Sequence, residues 1–108
     1  MSTRPETVTH LLEVLAPAGA LAARKMFGEY GLYLDGKIVG LICNDRLYIK
    51  PTPGAVVTLP DVPEAPPYPG ARLHLAPDAA LDDPAPVIAA LRAAWTDLPK
   101  PPPKRARR

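Results

Sequence analysis

The chain has few of the residues from which catalytic and metal centres are most often built. Its 108 residues include one cysteine, two histidines, one tryptophan and one phenylalanine. The lone Cys43 excludes an internal disulfide and a cysteine metal cluster. His10 and His74 do not form the HxxxH or HxH spacing of metal ligands. No nucleophile–base pair or phosphate-binding glycine loop is present, so we expect no metal, no cofactor and no catalytic residues, hence no enzyme.

Long apolar runs and a targeting segment are also missing. No apolar run approaches the roughly 18 residues that a membrane-spanning helix needs. The first residues lack the basic start and apolar stretch of a signal peptide. A single cysteine fits a reducing compartment. We therefore expect a cytoplasmic protein with no membrane contact.

Positive charge is scarce except at the C-terminus. Residues 1–98 contain eight Lys or Arg against eleven Asp or Glu, a net charge of −3, whereas residues 99–108 have a net charge of +5. That end is also rich in proline. The sequence predicts a single domain over 1–98 and a disordered Pro/basic tail over 99–108. The tail's candidate nucleic-acid contacts are Lys100, Lys104, Arg105, Arg107 and Arg108.

The N-terminal region shows the pattern of an amphipathic helix. Thr3 and Glu6 match a capping box. Apolar residues then recur at i, i+3, i+4 and i+7, which predicts a helix over about residues 4–16. Pro17 and Gly19 should end it.

A second helix is predicted near the C-terminus. Asp82-Asp83-Pro84 supplies an acidic N-cap and a proline at the first helical position, and Pro99 ends the helix. Its apolar stripe consists of Val87, Ile88, Leu91, Ala94, Trp95 and Leu98.

Between the helices lies a block with the features of β-strands. Runs at 30–34, 37–43 and 46–50 are separated by Asp-Gly and Asn-Asp, typical two-residue hairpin turns. These runs predict a three-stranded meander, with Arg24–Phe27 as a fourth strand or lead-in and Arg72–Leu75 as a short strand at one edge. For the proline-rich segment from Pro51 to Gly70, a helical turn and an irregular loop fit equally well.

These elements predict an α+β fold. It consists of an N-terminal helix, an antiparallel β-meander sheet and a C-terminal helix packed on that sheet, forming a two-layer α/β sandwich. The two hairpin turns should place Leu32 opposite Val39, Tyr33 opposite Ile38, Ile42 opposite Leu47, and Leu41 opposite Tyr48.

This register makes both faces of the sheet apolar, so this chain or a partner must cover the second face. Tyr33 then lies on the face opposite that of Tyr30 and Tyr48, so the three tyrosines do not form one stacking surface. This favours packing over base stacking as their role. The predicted partner face consists of Tyr30, Leu32, Val39, Leu41 and Tyr48.

The polar residues of the strand block have structural interpretations. Cys43 alternates with apolar residues and should behave as a small hydrophobic residue. A reactive Cys43 thiolate is the alternative, because it needs a nearby basic group and Arg46 lies across the predicted turn. Asp35 and Asp45 lie at turns, where their side chains stabilise the backbone.

The strand block also resembles a known family. Lys25-Met26-Phe27-Gly28, Tyr30-Gly31, Asp35-Gly36-Lys37 and Leu47-Tyr48-Ile49-Lys50 are similar to the hallmark of the TfoX/Sxy N-terminal domain family. The resemblance implies an α+β domain of a regulator of natural competence gene expression. It implies no catalysis and no agreed ligand-binding residues.

Two functional hypotheses follow. The first is a regulatory module that binds a protein partner, such as the transcription machinery, or forms a homodimer through the predicted partner face. The second is a nucleic-acid-binding accessory protein that makes weak, nonspecific phosphate contacts through its basic tail. The net charge of −3 over residues 1–98 disfavours the second hypothesis.

Overall fold

The computed structural model describes residues 3–26, 28–77 and 83–99. Helix α1 (Pro5–Val14) and a short 3-10 helix (Ala16–Ala18) precede the strands, and α2 (Pro53–Thr58) and α3 (Ala85–Asp97) follow the meander. The strands are β1 (Leu21–Met26), β2 (Glu29–Leu34), β3 (Lys37–Cys43), β4 (Arg46–Ile49), β5 (Glu64–Ala65) and β6 (His74–Leu75).

The strands form one antiparallel sheet in the order β1-β2-β3-β4-β6-β5. Helices α1 and α3 pack on this sheet, and α2 packs against α3. The predicted α+β fold is therefore confirmed, including the N-terminal helix and the C-terminal helix on the sheet. Within the described ranges, no helix has both the length and the apolar character needed to cross a membrane.

Helix α1 lies within the predicted span, but its N-terminus is held differently from the prediction. Arg4 is the N-cap residue and makes no side-chain cap, so the predicted capping box of Thr3 and Glu6 is wrong. Instead, Asp45 on the β3–β4 turn accepts hydrogen bonds from Arg4 N (2.9 Å) and Thr7 Oγ1 (2.8 Å). A residue remote in sequence therefore caps the helix.

Both predicted hairpin turns are present. Asp35 and Gly36 have φ of 46° and 87°, and Asn44 and Asp45 have 56° and 62°. Positive φ at both central residues is typical of a type I′ turn, which Asn, Asp and Gly tolerate best. Three predicted pairs are confirmed, namely Tyr33 with Ile38, Leu41 with Tyr48, and Ile42 with Leu47.

The fourth predicted pair is wrong because β3 contains a bulge. Leu32 lies opposite Gly40, while Tyr33 lies opposite Ile38, so Val39 is an extra residue between them. A Cβ at Gly40 would overlap the carbonyl oxygen of Tyr48. Strand β4 therefore approaches β3 closely at a position that only glycine fits.

The bulge changes which residues share a face. Across an extra residue the alternation shifts by one, so Val39 and Ile42 both enter the core beneath the helices. The core also contains Leu32 at 0% exposure. The larger fully buried side chains of the core are Leu15, Leu32, Val39, Ile42, Ile49, Leu75 and Leu91.

The helical alternative for the proline-rich segment is confirmed by α2, and the segment also contains the short strand β5. Pro53 lies in the first turn of α2, and Thr52 Oγ1 accepts a hydrogen bond from Ala55 N at 3.3 Å. Proline fits there because it needs no hydrogen-bond donor at a helix start. The predicted short strand is present as β6, beside β4.

Helix α3 begins one residue later than predicted. Pro84 is its N-cap residue and not its first helical residue, and Asp82 of the predicted start lies outside the described residues. The predicted apolar stripe is confirmed, since Val87, Leu91 and Ala94 are buried and Ile88, Trp95 and Leu98 pack against the core.

The C-terminal end of α3 is fastened to the sheet by a buried lysine. Lys37 is 8% exposed, and its Nζ donates hydrogen bonds to the carbonyl oxygens of Trp95 and Leu98, each at 2.7 Å. The ammonium also lies 4.0 Å from the Trp95 ring centroid. A positive charge is favoured at this position because helix carbonyls point toward it.

Candidate partner-binding surface

A groove of about 520 Å³ opens on the sheet face opposite α1 and α3. Its described lining consists of Met26, Glu29, Leu41, Cys43 and Tyr68. Strands β1, β2 and β3 supply the first four residues, and the connection between β5 and β6 supplies Tyr68. We call this the sheet groove. Its size lies within the range of ligand-binding clefts.

Gly31 makes room for the Met26 side chain beside the groove. Gly31 lies on β2 between Arg24 and Leu41 of the neighbouring strands. A methyl group there would come within 2.7 Å of Met26 Sδ and 3.1 Å of Ile38 Cδ1. The flexible Met26 side chain therefore lies over Gly31, in space that the side chain of any other residue at position 31 would occupy.

Cys43 is an apolar part of the groove wall. Its side chain is 3% exposed and packs in a second cluster with Tyr48 and Ala76. Burial, and secondarily the negative charge of Glu29, raises the pKa of the Cys43 thiol to about 11. The thiol is thus protonated at neutral pH, which disfavours the reactive alternative considered from the sequence.

Glu29 supplies the negative charge of the groove, and it also has a structural role. Its Oε1 accepts a hydrogen bond from Thr3 N at 2.9 Å, and its Oε2 accepts one from Asn44 N at 3.1 Å. These bonds hold the start of the chain against the β3–β4 turn. The sheet groove therefore borders the contact that caps α1.

The five residues of the predicted partner face do not share one face. Leu32 and Val39 are fully buried beneath the helices, and Tyr30 packs against the same core. Leu41 and Tyr48 lie in the second cluster, where Tyr48 is 4% exposed. The bulge at Val39 is the physical reason for this division. Leu41 is the member that reaches the sheet groove.

The predicted nucleic-acid contacts of the tail, from Lys100 to Arg108, lie outside the described residues. Among the residues that the structure does describe, no group of three or more His, Cys, Asp or Glu side chains is placed to hold a metal ion. His10 is exposed on α1, and His74 Nδ1 lies 3.0 Å from the carbonyl oxygen of Arg72.

Sequence reasoning missed Met26, Glu29 and Tyr68 as groove residues. Tyr68 is 56% exposed and comes from the segment whose structure the sequence left open. Gly31 was the available signal, since glycine within a strand often marks a close approach or an open space.

The comparisons with known proteins agree with the fold. The TfoX N-terminal domain profile matches residues 13–98. A protein of Spirochaeta aurantia, described as an uncharacterized 12.7 kDa protein in the trpE 5′ region, is 30% identical over 107 residues. That alignment covers 99% of this chain and 93% of the relative. Because the family match spans most of the sequence, from the end of α1 through α3, the chain belongs to the TfoX N-terminal domain family.

Proposed function

We propose that this protein is a non-enzymatic regulatory module that acts in the cytoplasm by binding a protein partner through the sheet groove. The observation that carries the proposal is an apolar groove on a sheet face that the helices leave open. Family membership supports a regulatory or interaction role, and regulation of competence gene expression is the specific role we propose.

The groove has the features of a site for an apolar side chain. Met26, Leu41 and the protonated Cys43 give it apolar walls, and Tyr68 stands half exposed beside them. Interface hot spots commonly consist of an apolar or aromatic anchor in such a pocket. The partner would supply that anchor, and Tyr68 would close over it.

Substitution in the groove tests this function. Leu41→Asp places a charge on the apolar wall, where burial against a partner would be unfavourable. Tyr68→Ala removes a half-exposed wall without placing a charge in the sheet. Val57→Asp is the matched control, because Val57 is 77% exposed on α2, which packs in the helical layer.

The measurement is quantitative capture of partners from host cells, followed by transcript levels of competence genes in a complemented deletion strain. We expect wild type and Val57→Asp to capture the same partner protein, and Leu41→Asp and Tyr68→Ala to fail to capture it. Competence transcripts should fall in the strains that carry the two groove variants. Equal retention by all four proteins would refute the groove as the binding surface. A doubled native mass that Leu41→Asp abolishes would identify a second copy as the partner.

Nucleic-acid binding through the tail is the second candidate function. The net charge of +5 over residues 99–108 favours it, because lysine and arginine neutralise phosphates without reading sequence.

A further inference from the structure

Strand β1 forms a long outer edge of the sheet. Its six residues pair with β2 without interruption, and the opposite outer strand, β5, has only two residues. The outward N–H and C=O groups of an edge strand are available to another strand. Among the described residues, no backbone or side-chain group outside β2 hydrogen-bonds to β1.

The composition of β1 leaves this edge accessible. It contains no proline, and its register with β2 has no bulge. Ala22 is exposed and Ala23 half-buried, and neither methyl side chain would obstruct an approaching strand. Arg24 and Lys25 are both exposed. Among the described residues nothing blocks this edge from a further strand, and the edge carries two positive charges.

These two charges are not neutralised by described neighbours. Opposite Arg24 and Lys25 on β2 lie Gly31 and Tyr30, and neither basic residue forms an ion pair with another described residue. The nearby Glu29 carboxylate is bound to two backbone N–H groups. Arg24 instead lies 5.2 Å from the ring centroid of Tyr33.

The charges disfavour a second copy as the added strand. If two copies paired antiparallel with Arg24 at the centre, their Arg24 side chains would lie directly opposite each other. With Ala23 at the centre, the two Arg24 side chains would lie diagonally on the same face. Like charges at such positions destabilise strand pairing. An acidic strand would instead gain attraction at the same positions.

We propose that an extended acidic segment of the partner protein adds to the outer edge of β1 as a further strand. Consecutive strand residues point to opposite faces, so acidic residues directly opposite Arg24 and Lys25 must be adjacent in the partner sequence. The inference rests on the proposed function, and it adds the partner's conformation and charge. Met26, the last residue of β1, lines the sheet groove, so the strand edge and the groove are adjacent surfaces for one partner segment.

Three synthetic peptides with blocked ends test the inference on the full chain. The probe is Thr-Val-Glu-Glu-Val-Thr, and Thr-Val-Lys-Lys-Val-Thr reverses its charge. Glu-Val-Thr-Thr-Val-Glu has the probe's composition with its acids separated. By NMR titration we expect the probe to bind about tenfold more tightly than either control, from the change in two ion pairs.

Hydrogen exchange identifies the mode of binding. Bound probe should protect alternate β1 amides, since only outward N–H groups gain partners. Protection confined to other strands would contradict strand addition. Equal affinity for all three peptides, or a doubled mass without peptide that vanishes with Arg24→Glu, would also overturn the proposal.

A variant with reversed charge on β1 is the counterpart of the charge-reversed peptide. Arg24→Glu combined with Lys25→Glu alters only exposed side chains and removes the contact of Arg24 with the Tyr33 ring, so its unfolding midpoint should fall only slightly below that of wild type. This variant should prefer the lysine peptide to the probe. An unchanged preference would contradict the inference.

The groove variants separate this inference from the proposed function. Tyr68→Ala should still bind the probe, because Tyr68 lies on the connection between β5 and β6 and its substitution adds no charge near Arg24. Partner capture by wild type with no probe binding would refute the acidic strand and leave the proposed function standing.

Discussion

Asp45 shows how one turn residue can serve two elements. Its φ of 62° suits the type I′ turn between β3 and β4, and its carboxylate caps α1 through Arg4 N and Thr7 Oγ1. An ion pair between Arg4 Nε and Asp45 Oδ2 at 3.5 Å is exposed and adds little. The turn role was predictable from sequence, but the capping role depends on a contact between distant segments.

The hydrogen bonds to Asp45 should make stability depend on pH. They lower the pKa of the carboxyl from its ordinary value of 3.8, with the Arg4 backbone bond as the largest cause. A lowered folded-state pKa contributes stability above the unfolded-state value, and that contribution is lost as pH falls through the folded-state value. Asp45→Asn should therefore be less stable than wild type near neutral pH, with a smaller difference in acid.

Urea unfolding of both proteins at about pH 7 and about pH 3 measures this effect. Asp35→Asn is the matched control, since Asp35 also has positive φ and its side chain bonds to no described residue. Asp45→Ala should be less stable than Asp45→Asn, because alanine loses the acceptor and tolerates positive φ poorly. A difference between wild type and Asp45→Asn that is the same at both pH values would contradict the assignment.

At the scale of elements, hairpins and helices were predictable because their signals are local. Type I′ turn residues and helical periodicity occupy short windows of sequence, and the structure contains the elements they predicted. The bulge was not predictable from alternation. Gly40 marks it, but the reason is the carbonyl of Tyr48 on the next strand. The division of the predicted partner face follows from this one unpredicted residue.

Lys37 connects two elements, and replacing it should loosen the end of α3. Lys37→Met keeps most of the aliphatic chain but removes the donor to the carbonyls of Trp95 and Leu98. We expect the free energy of unfolding to fall by about 1–3 kcal/mol, the usual loss for a charged hydrogen-bond donor in a partly buried site.

The fluorescence of Trp95, the single tryptophan, provides a local readout because the ammonium lies over its ring. Chemical denaturation of Lys37→Met should show both lower stability and altered native fluorescence. Lys50→Met is the control, since Lys50 is half-buried and its ammonium bonds to no described residue. Equal stability of the two variants would show that Lys37 does not fasten α3.

At the scale of the whole molecule, fold class and family were predictable, but the candidate site was not. The strand block carries the residues that resemble the family and lies within the range that the family profile matches, and its apolar pattern requires a covered sheet. The sheet groove needs Met26 and Tyr68 brought together from β1 and the β5–β6 connection. Neither residue belongs to a local motif that distinguishes a wall of a groove from an ordinary surface position.

The charge distribution along the chain predicts the behaviour of the tail. If the tail contacts phosphates, binding of the full chain to duplex DNA should weaken with salt, with a log–log slope of about −0.9 per phosphate neutralised. A chain ending at Leu98 should not bind, because residues 1–98 have a net charge of −3.

The control keeps the tail's length and replaces its five basic residues by glutamine. It should behave like the truncated chain in a fluorescence anisotropy titration. DNA binding that survives either change would reject the tail as the contact, as would a full chain that does not bind.

The cap of α1 also sets an order of events during synthesis. Thr3 and Asp45, which bond to each other through Asp45 N and Thr3 Oγ1, are 42 residues apart. At roughly 5–20 residues per second, the ribosome needs about 2–8 s to reach Asp45 after it has added Thr3. A ten-residue helix is marginal alone in water. Helix α1 therefore becomes stable later than its place before the strands suggests, once the β3–β4 hairpin has formed.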